Sequence, residues 1–286
     1  MALIELPYIV LDQNVLRDEV QIRSALELAT KYQTSLLLPD VALMEMMKNE
    51  QWESTARRSL ALLAKTPSRI AIAWGTGELL RNELAAGHPQ IDLVDNEVTE
   101  QFRAVLEQLR TKPQSALDEL RPHIPGAQSM AQRQHLNHQH NKNRILRMVD
   151  AWKGILKPEA IKALRRENSD DLFQALLASE NLTNLFEDWL KGADFPPDAA
   201  RRLAAERSIT SHVCLCYAAL GLRWLKRQGI EGVQSEKVTN DLVDMDYVLI
   251  ASFCIKLFTK EGNVNRMLED IKAVAELRNE RFLIAE

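Results

Sequence analysis

Tyr8 to Leu11 is an unbroken apolar run, β-branched at Ile9 and Val10, that stops at Asp12-Gln13-Asn14. Such a run suits a strand covered on both faces, the usual position in a parallel sheet. That is a strong constraint, because parallel neighbours need long crossovers, usually helical. The crossovers follow at once. Asp18 to Tyr32 shows helical spacing through Val20, Ile22, Ala25, Leu26 and Ala29. Ser35 to Leu38 is a second strand candidate, and Pro39-Asp40 opens another helix. A helix from about Trp52 to Ala64 and a strand from Arg69 to Ala73 continue the alternation, which favours a parallel α/β sheet with right-handed crossovers. Asp12 then stands where a buried strand meets its loop. A carboxylate there is costly unless paired, hydrogen-bonded or bound to a cation; the alternative is an ordinary turn or helix cap.

From about Gly75 the strand signals stop. Residues 76–229 read as helices separated by breaks at Gly87-His88-Pro89, Pro122 to Gly126, Pro158 and Pro196-Pro197. Strand signals return at Ile255 to Phe258 and at Arg281 to Ala285, with a helix around Val264 to Leu277 between them. The expected architecture is one α/β domain built from both termini, residues 1–75 and 230–286, carrying a large all-α insertion at 76–229. The 286 residues are enough for a core that needs no staples. Cys214 and Cys216 lie in an apolar run, Val213 to Leu225, that reads as a buried helix, so reduced thiols are expected. Neither a signal-peptide layout nor an apolar run of transmembrane length is present. The expectation is a soluble, cytoplasmic protein with no membrane partner.

Acidic residues mark both ends of the chain. Glu45 lies on the helix after the second strand, among Val41, Leu43, Met44, Met46 and Met47. Near the other end, Thr239 or Asn240 reads as an N-cap, and Asp241 and Asp244, three apart, share one face of the first helical turn. Val248 and Ala251 continue that face, while Asp246 points away and reads as surface. The strand Ile255 to Phe258 delivers Glu261 just past its end. Joining the two ends gathers Asp12, Glu45, Asp241, Asp244 and Glu261 near the carboxyl ends of adjacent strands. These acids cannot all ionise together without cations. Oxygen-only donors favour Mg²⁺ or Mn²⁺, and two such ions support hydrolysis of a phosphodiester.

These residues resemble the PIN-domain family, the fold of many ribonucleases and of toxins in bacterial toxin-antitoxin pairs. The shared pattern is a strand ending D-x-N at Asp12-Gln13-Asn14, a Glu after strand two at Glu45, an acid at Asp244 leading a helix of small apolar residues, and Thr259-Lys260-Glu261 where T-x-D is usual. The resemblance covers the two ends and none of the helical middle. It implies a parallel-sheet, three-layer core in which Asp12, Glu45 and Asp244 hold Mg²⁺ or Mn²⁺. Asp241 and Glu261 would complete the site, with Asn14 and Thr259 in support. The implied activity is a metal-dependent endoribonuclease, a toxin or defence effector, for which an inhibitory protein partner or a homodimer is a family possibility. Glu261 departs from the customary Asp by one methylene, and the long insertion departs from the compact toxins. The alternatives are a DNA-directed nuclease of the same architecture and a non-catalytic helical adaptor on a degenerate core.

A net charge of −4 excludes a strongly basic, polyanion-coating protein, so any nucleic-acid contact is localised. Arg133 to Arg166 carries nine Lys or Arg against Asp150 and Glu159. Arg133, Lys142, Arg144, Arg147 and Lys153 are the leading candidates to track a phosphate backbone; a solvated helix face is the alternative. His135, His138 and His140 have ligand-like spacing, but no neighbouring acid or cysteine completes a metal site. Trp152, Trp189 and Trp224 sit at helical spacing among apolar residues and read as core.

Overall fold

The computed structural model describes residues 5–166, 169–180, 182, 184–186, 198, 202–203, 206–227 and 232–284, without the side chains of 133–136 and 279–284. Four strands, β1 (Leu6–Leu11), β2 (Ser35–Leu38), β3 (Ile70–Ile72) and β4 (Cys254–Phe258), form one sheet in the order β3-β2-β1-β4. All three pairings are parallel, with Ile9 opposite Leu36 on one side and Lys256 on the other. The first strand is therefore internal, and its continuous burial from Ile9 to Leu11 explains the unbroken apolar run.

The period-two alternation of these strands sorts their side chains into two layers. Val10, Leu37, Ala71 and Leu257 belong to one apolar cluster, and Ile9, Leu11, Leu36, Leu38, Ile70 and Ile72 to the other. The second cluster is completed by α1 (Glu19–Lys31), the helix α2 (Asp40–Met47), α3 (Trp52–Leu60) and residues of α5 (Asn96–Thr111) and α6 (Pro113–Leu120). Between α3 and α5 lies α4 (Thr76–Ala86), ended by Gly87 at a φ of 68°. Only glycine takes that left-handed cap without strain.

Beyond α6 come α7 (Ile124–Leu136), α8 (His138–Ile155), α9 (Pro158–Leu164) and α10 (Asp170–Leu177). The chain closes with α11 (Ile209–Lys226), α12 (Ser235–Ala251) and α13 (Gly262–Ile284). Helices α8 to α13 bury their apolar faces in the first cluster, against the sheet side that holds Val10 and Leu37. The 76–229 segment thus feeds both layers of the sheet: α5 and α6 cover one face, α8 and α11 the other. Each fully buried Leu or Ile contributes on the order of 2 kcal/mol. Trp152 is fully buried and donates its indole N–H to the Ala218 carbonyl at 2.9 Å, and Trp224 is buried in the same cluster. Trp189 and Pro196-Pro197 lie outside the described residues. The cysteines are free thiols, and among the described residues no helix is long and apolar enough to cross a membrane.

Two expected elements are corrected. The strand at Arg281 to Ala285 is absent through residue 284, where α13 continues instead. No Gly or Pro follows Gly262 to stop that helix, and a short apolar run cannot by itself be told from a helix segment. The helix bearing Asp241 and Asp244 starts at Ser235 with Gln234 at its N-cap, not at Thr239 or Asn240. Thr239 is a buried residue inside the helix whose hydroxyl donates to the Ser235 carbonyl. Both aspartates therefore sit in the body of α12.

The N-terminus of α11 is held from a distance by a buried acid. Glu83 on α4 is inaccessible to solvent, and its carboxylate accepts from the Ile209 and Thr210 amides at 2.8 and 2.6 Å and from the Gln90 amide at 3.1 Å. The Thr210 hydroxyl adds a fourth bond. A carboxylate is well matched to helix N-terminal amides. Glu83→Gln would turn an amide donor toward donors, and the expected loss is about 2 kcal/mol of unfolding free energy, measured by urea denaturation.

Candidate functional site

Asp12 is the first residue past β1. Its amide donates to the Phe258 carbonyl at 3.0 Å, so the β1–β4 ladder brings it beside the loop that leaves β4. The side chain is 4 % exposed and both oxygens are engaged. Oδ1 accepts from the Asn14 amide at 3.2 Å, and Oδ2 accepts from Asn14 Nδ2 at 2.8 Å and the Thr259 hydroxyl at 2.5 Å. Asn14 Oδ1 accepts in turn from the Lys260 amide, and Thr259 Oγ1 from the Glu261 amide. This net ties the two loops together and, through Asn14 and Thr259, sets the direction of the Asp12 carboxylate. Burial raises the Asp12 pKa; the Thr259 and Asn14 bonds oppose that, and the Glu261 charge reinforces it.

Glu45 is carried in by α2. Its carboxylate accepts from the Tyr247 hydroxyl at 2.9 Å and lies 3.7 Å from Lys48 Nζ. Burial raises its pKa, with Tyr247 and Lys48 opposing and Asp12 adding to the shift. Asp244 is pushed up to about 7, first by burial, then by the charges of Asp12, Asp241, Glu261 and Glu45. Asp12, Glu45, Asp244 and the exposed Glu261 all line one cleft of about 400 Å³. Insertion helix α7 contributes Ala131 to the same cleft, and α12 adds Thr239 and Asn240.

The other expected ligand, Asp241, does not line this cleft. It shares with Asp244 a small adjoining hollow that Arg223, Trp224 and Arg227 border. Burial raises its pKa while Arg227, Lys237, Trp224 and Arg223 hold it down, so it has cationic neighbours of its own. Residues three apart on a helix diverge by about 60°, and of the pair Asp244 borders both hollows while Asp241 borders the smaller one. Asp246 does turn away from the cleft, but it is not the surface residue expected. It is half-buried, with its pKa pushed up to about 7 by burial and by the charge of Asp40.

Among the described side chains, Lys142, Arg144, Arg147 and Lys153 do not line the cleft either. Lys142 donates to the Val233 carbonyl at 2.7 Å, Lys153 pairs with Asp150 at 3.2 Å, and Arg144 and Arg147 border a separate cavity. The Arg133 side chain lies outside the described residues, as does that of His135. His138 Nδ1 contacts Thr239 Oγ1 at 2.6 Å, and His140 is exposed. Among the described residues the cation that lines the cleft is Lys48, which had no place in the sequence expectation; neither had Tyr247. Each stands three residues from an expected acid, Tyr247 on α12 and Lys48 at the C-cap of α2, a spacing that could have drawn attention to both.

The donor set fits a hard divalent cation: carboxylate oxygens at a partly buried cleft, with Asp12, Glu45 and Asp244 all raised by burial first. The grouping is loose. Among the described residues no three His, Cys, Asp or Glu side chains stand close enough to hold a metal ion. Mg²⁺ is commonly held by one or two carboxylates with water filling its remaining positions, so a spread set of acids matches its habit better than that of zinc. Comparison with protein-family models, with curated proteins and with solved structures returns no match.

Proposed function

We propose that the protein is a Mg²⁺- or Mn²⁺-dependent nuclease that hydrolyses RNA phosphodiester bonds on a core of PIN-like construction. What supports this above all is the convergence of Asp12, Glu45, Asp244 and Glu261, from opposite ends of the chain, on one cleft beside the carboxyl ends of β1 and β4. Asp12 and Asp244 would hold the cation, and Glu45 and Glu261 would add charge around it. A bound divalent cation supplies a nucleophilic water at neutral pH and stabilises the leaving oxygen. Lys48 gives the acidic cleft a positive group for an incoming phosphate, and the hydrogen-bond net of Asn14 and Thr259 keeps Asp12 in one orientation. RNA is preferred over DNA because the acid pattern resembles that of a family rich in ribonucleases. A toxin or defence role, with an inhibitory protein partner or a homodimer, belongs to the same proposal.

The test is incubation with tRNA, single-stranded RNA, and single- and double-stranded DNA, each with Mn²⁺ or with a chelator. Cleavage of RNA that the chelator stops is the expected result, and cleavage of DNA alone makes the protein a DNA-directed nuclease. The loose grouping of the acids favours one further reading, a non-catalytic helical adaptor on a degenerate core. An adaptor would cleave nothing and would show no Mn²⁺ binding by calorimetry.

Tyr247 separates these readings at the level of one atom. Its hydroxyl is the donor that holds Glu45, and it sits 202 residues away in sequence. Tyr247→Phe keeps the ring packing and releases the carboxylate. The expected result is a 10- to 100-fold weaker Mn²⁺ affinity, roughly the effect of removing an outer hydrogen-bond partner at a metal site, with the melting temperature nearly unchanged.

A further inference from the structure

A second cavity, of about 280 Å³, shares no lining residue with the carboxylate cleft. Its apolar lining comes from Met148 and Ala151 on α8, Ala218 on α11, and the side chains of Leu182 and Phe186. Gly221 lets α8 and α11 approach closely: a Cβ there would stand 2.5 Å from Met148 Cγ, so the missing side chain is what lets Met148 lie against α11. Arg144 and Arg147, exposed and three apart on one face of α8, edge the cavity on its solvent side. The Arg144 guanidinium lies over the Tyr217 ring, 4.8 Å from its centroid, and Tyr217 also lines the cavity. Among the described residues neither arginine forms an ion pair with a carboxylate.

An apolar hollow alone would take any small hydrophobe. Two guanidiniums at its edge select for a negative head group, because guanidinium geometry matches a carboxylate through paired N–H donors. The volume lies at the lower end of small-molecule sites, room for a short apolar body and not for a long lipid. We propose that this cavity binds a small organic carboxylate with an apolar body, such as a medium-chain or aryl acid, with the body between α8 and α11 and the head group on Arg144 and Arg147. This assignment gives the two arginines a role apart from the nucleic-acid track expected of them, and it does not depend on the nuclease reading.

The full chain is titrated calorimetrically with hexanoate, octanoate, 1-octanol and octylamine, and with a single-stranded RNA oligonucleotide as competitor. Octanoate should bind roughly tenfold more tightly than hexanoate, the gain of two buried methylenes. 1-Octanol should bind about tenfold more weakly than octanoate, as expected for loss of a charge-assisted bond, and octylamine should not bind. Arg144→Gln with Arg147→Gln should lower octanoate affinity to that of 1-octanol. Ala151→Trp, which fills the hollow from a partly exposed helix position, should abolish binding of both while the melting temperature shows that the fold is kept. Absence of octanoate binding at millimolar concentration overturns the proposal. So does equal affinity for octanoate and octanol, or binding that survives Ala151→Trp. Displacement of octanoate by the RNA oligonucleotide would return the two arginines to the nucleic-acid surface and overturn it as well.

Discussion

Asp12→Asn is expected to lower Mn²⁺-dependent RNA cleavage by a hundredfold or more, on the order of the loss when a metal site is disrupted, while far-ultraviolet circular dichroism stays that of the parent. The reason lies in what the substitution keeps. Asp12 accepts three hydrogen bonds, from the Asn14 amide, Asn14 Nδ2 and Thr259. Asparagine can retain an acceptor toward two of those donors, so the β1 and β4 loops stay tied. What it removes is the charge of the most buried of the cleft acids. Asp244→Asn should act similarly, whereas Asp241→Asn, outside the cleft and beside Arg223 and Arg227, should retain most of the activity. Full activity of Asp12→Asn and Asp244→Asn, measured with purified protein on the same RNA, would remove the cleft from consideration as the active site.

The second large effect is on stability. Asp244 is raised from an ordinary 3.8 to about 7, so across that range it holds its proton in the folded chain after the unfolded chain has released it. The folded state then binds more protons, and stability falls as pH rises from about 4 through about 7. Without divalent ions the protein should melt at a lower temperature at pH 8 than at pH 5. A cation that offsets the ionised acids reverses this loss at pH 8. At a concentration about 100-fold above its dissociation constant it adds roughly 2.7 kcal/mol, or about 5–10 °C for a chain of this size. At pH 5 Asp244 is protonated and the same Mn²⁺ should shift melting very little. Asp246, also raised to about 7, contributes to the pH slope from the far side of α12 and should be unaffected by the ion. Asp244→Asn should therefore raise the metal-free melting temperature at pH 8 and erase most of the Mn²⁺ response. Differential scanning fluorimetry in four buffers, with and without Mn²⁺, is sufficient. An equal Mn²⁺ shift in parent and variant would remove Asp244 from any ion site.

The sheet was legible because its strands carry their burial in the sequence. Ile9 to Leu11, Leu36 to Leu38 and Ile70 to Ile72 are apolar without interruption, and each is buried on both faces. Asp12, Glu45, Asp244 and Glu261 were legible for a related reason, since an acid next to such a run has few inexpensive environments. What stayed hidden depends on angles about a helix axis and on partners remote in sequence. Asp241 and Asp244 look equivalent at a spacing of three, yet the helix starts earlier than expected, and Asp244 borders the carboxylate cleft while Asp241 borders the adjoining hollow without lining the cleft. Asp246 looked like surface because its neighbours Asp40 and Arg144 come from other elements. The basic run on α8 likewise suggested one continuous track, but Lys142, Arg144 and Lys153 each have a different local partner.

The pairing of β1 with β4 has a consequence for synthesis. Asp12 and Thr259, which share a hydrogen bond, stand 247 residues apart, and the central strand cannot gain its second neighbour until Cys254 to Phe258 has left the ribosome. Long-range parallel pairing forms late and slowly. A nascent or prematurely terminated chain that stops before β4 lacks Glu261, and one that stops before α12 lacks Asp244 as well, so neither holds the whole cleft. Any activity that resides there is withheld until β4 and the loop bearing Glu261 have been made.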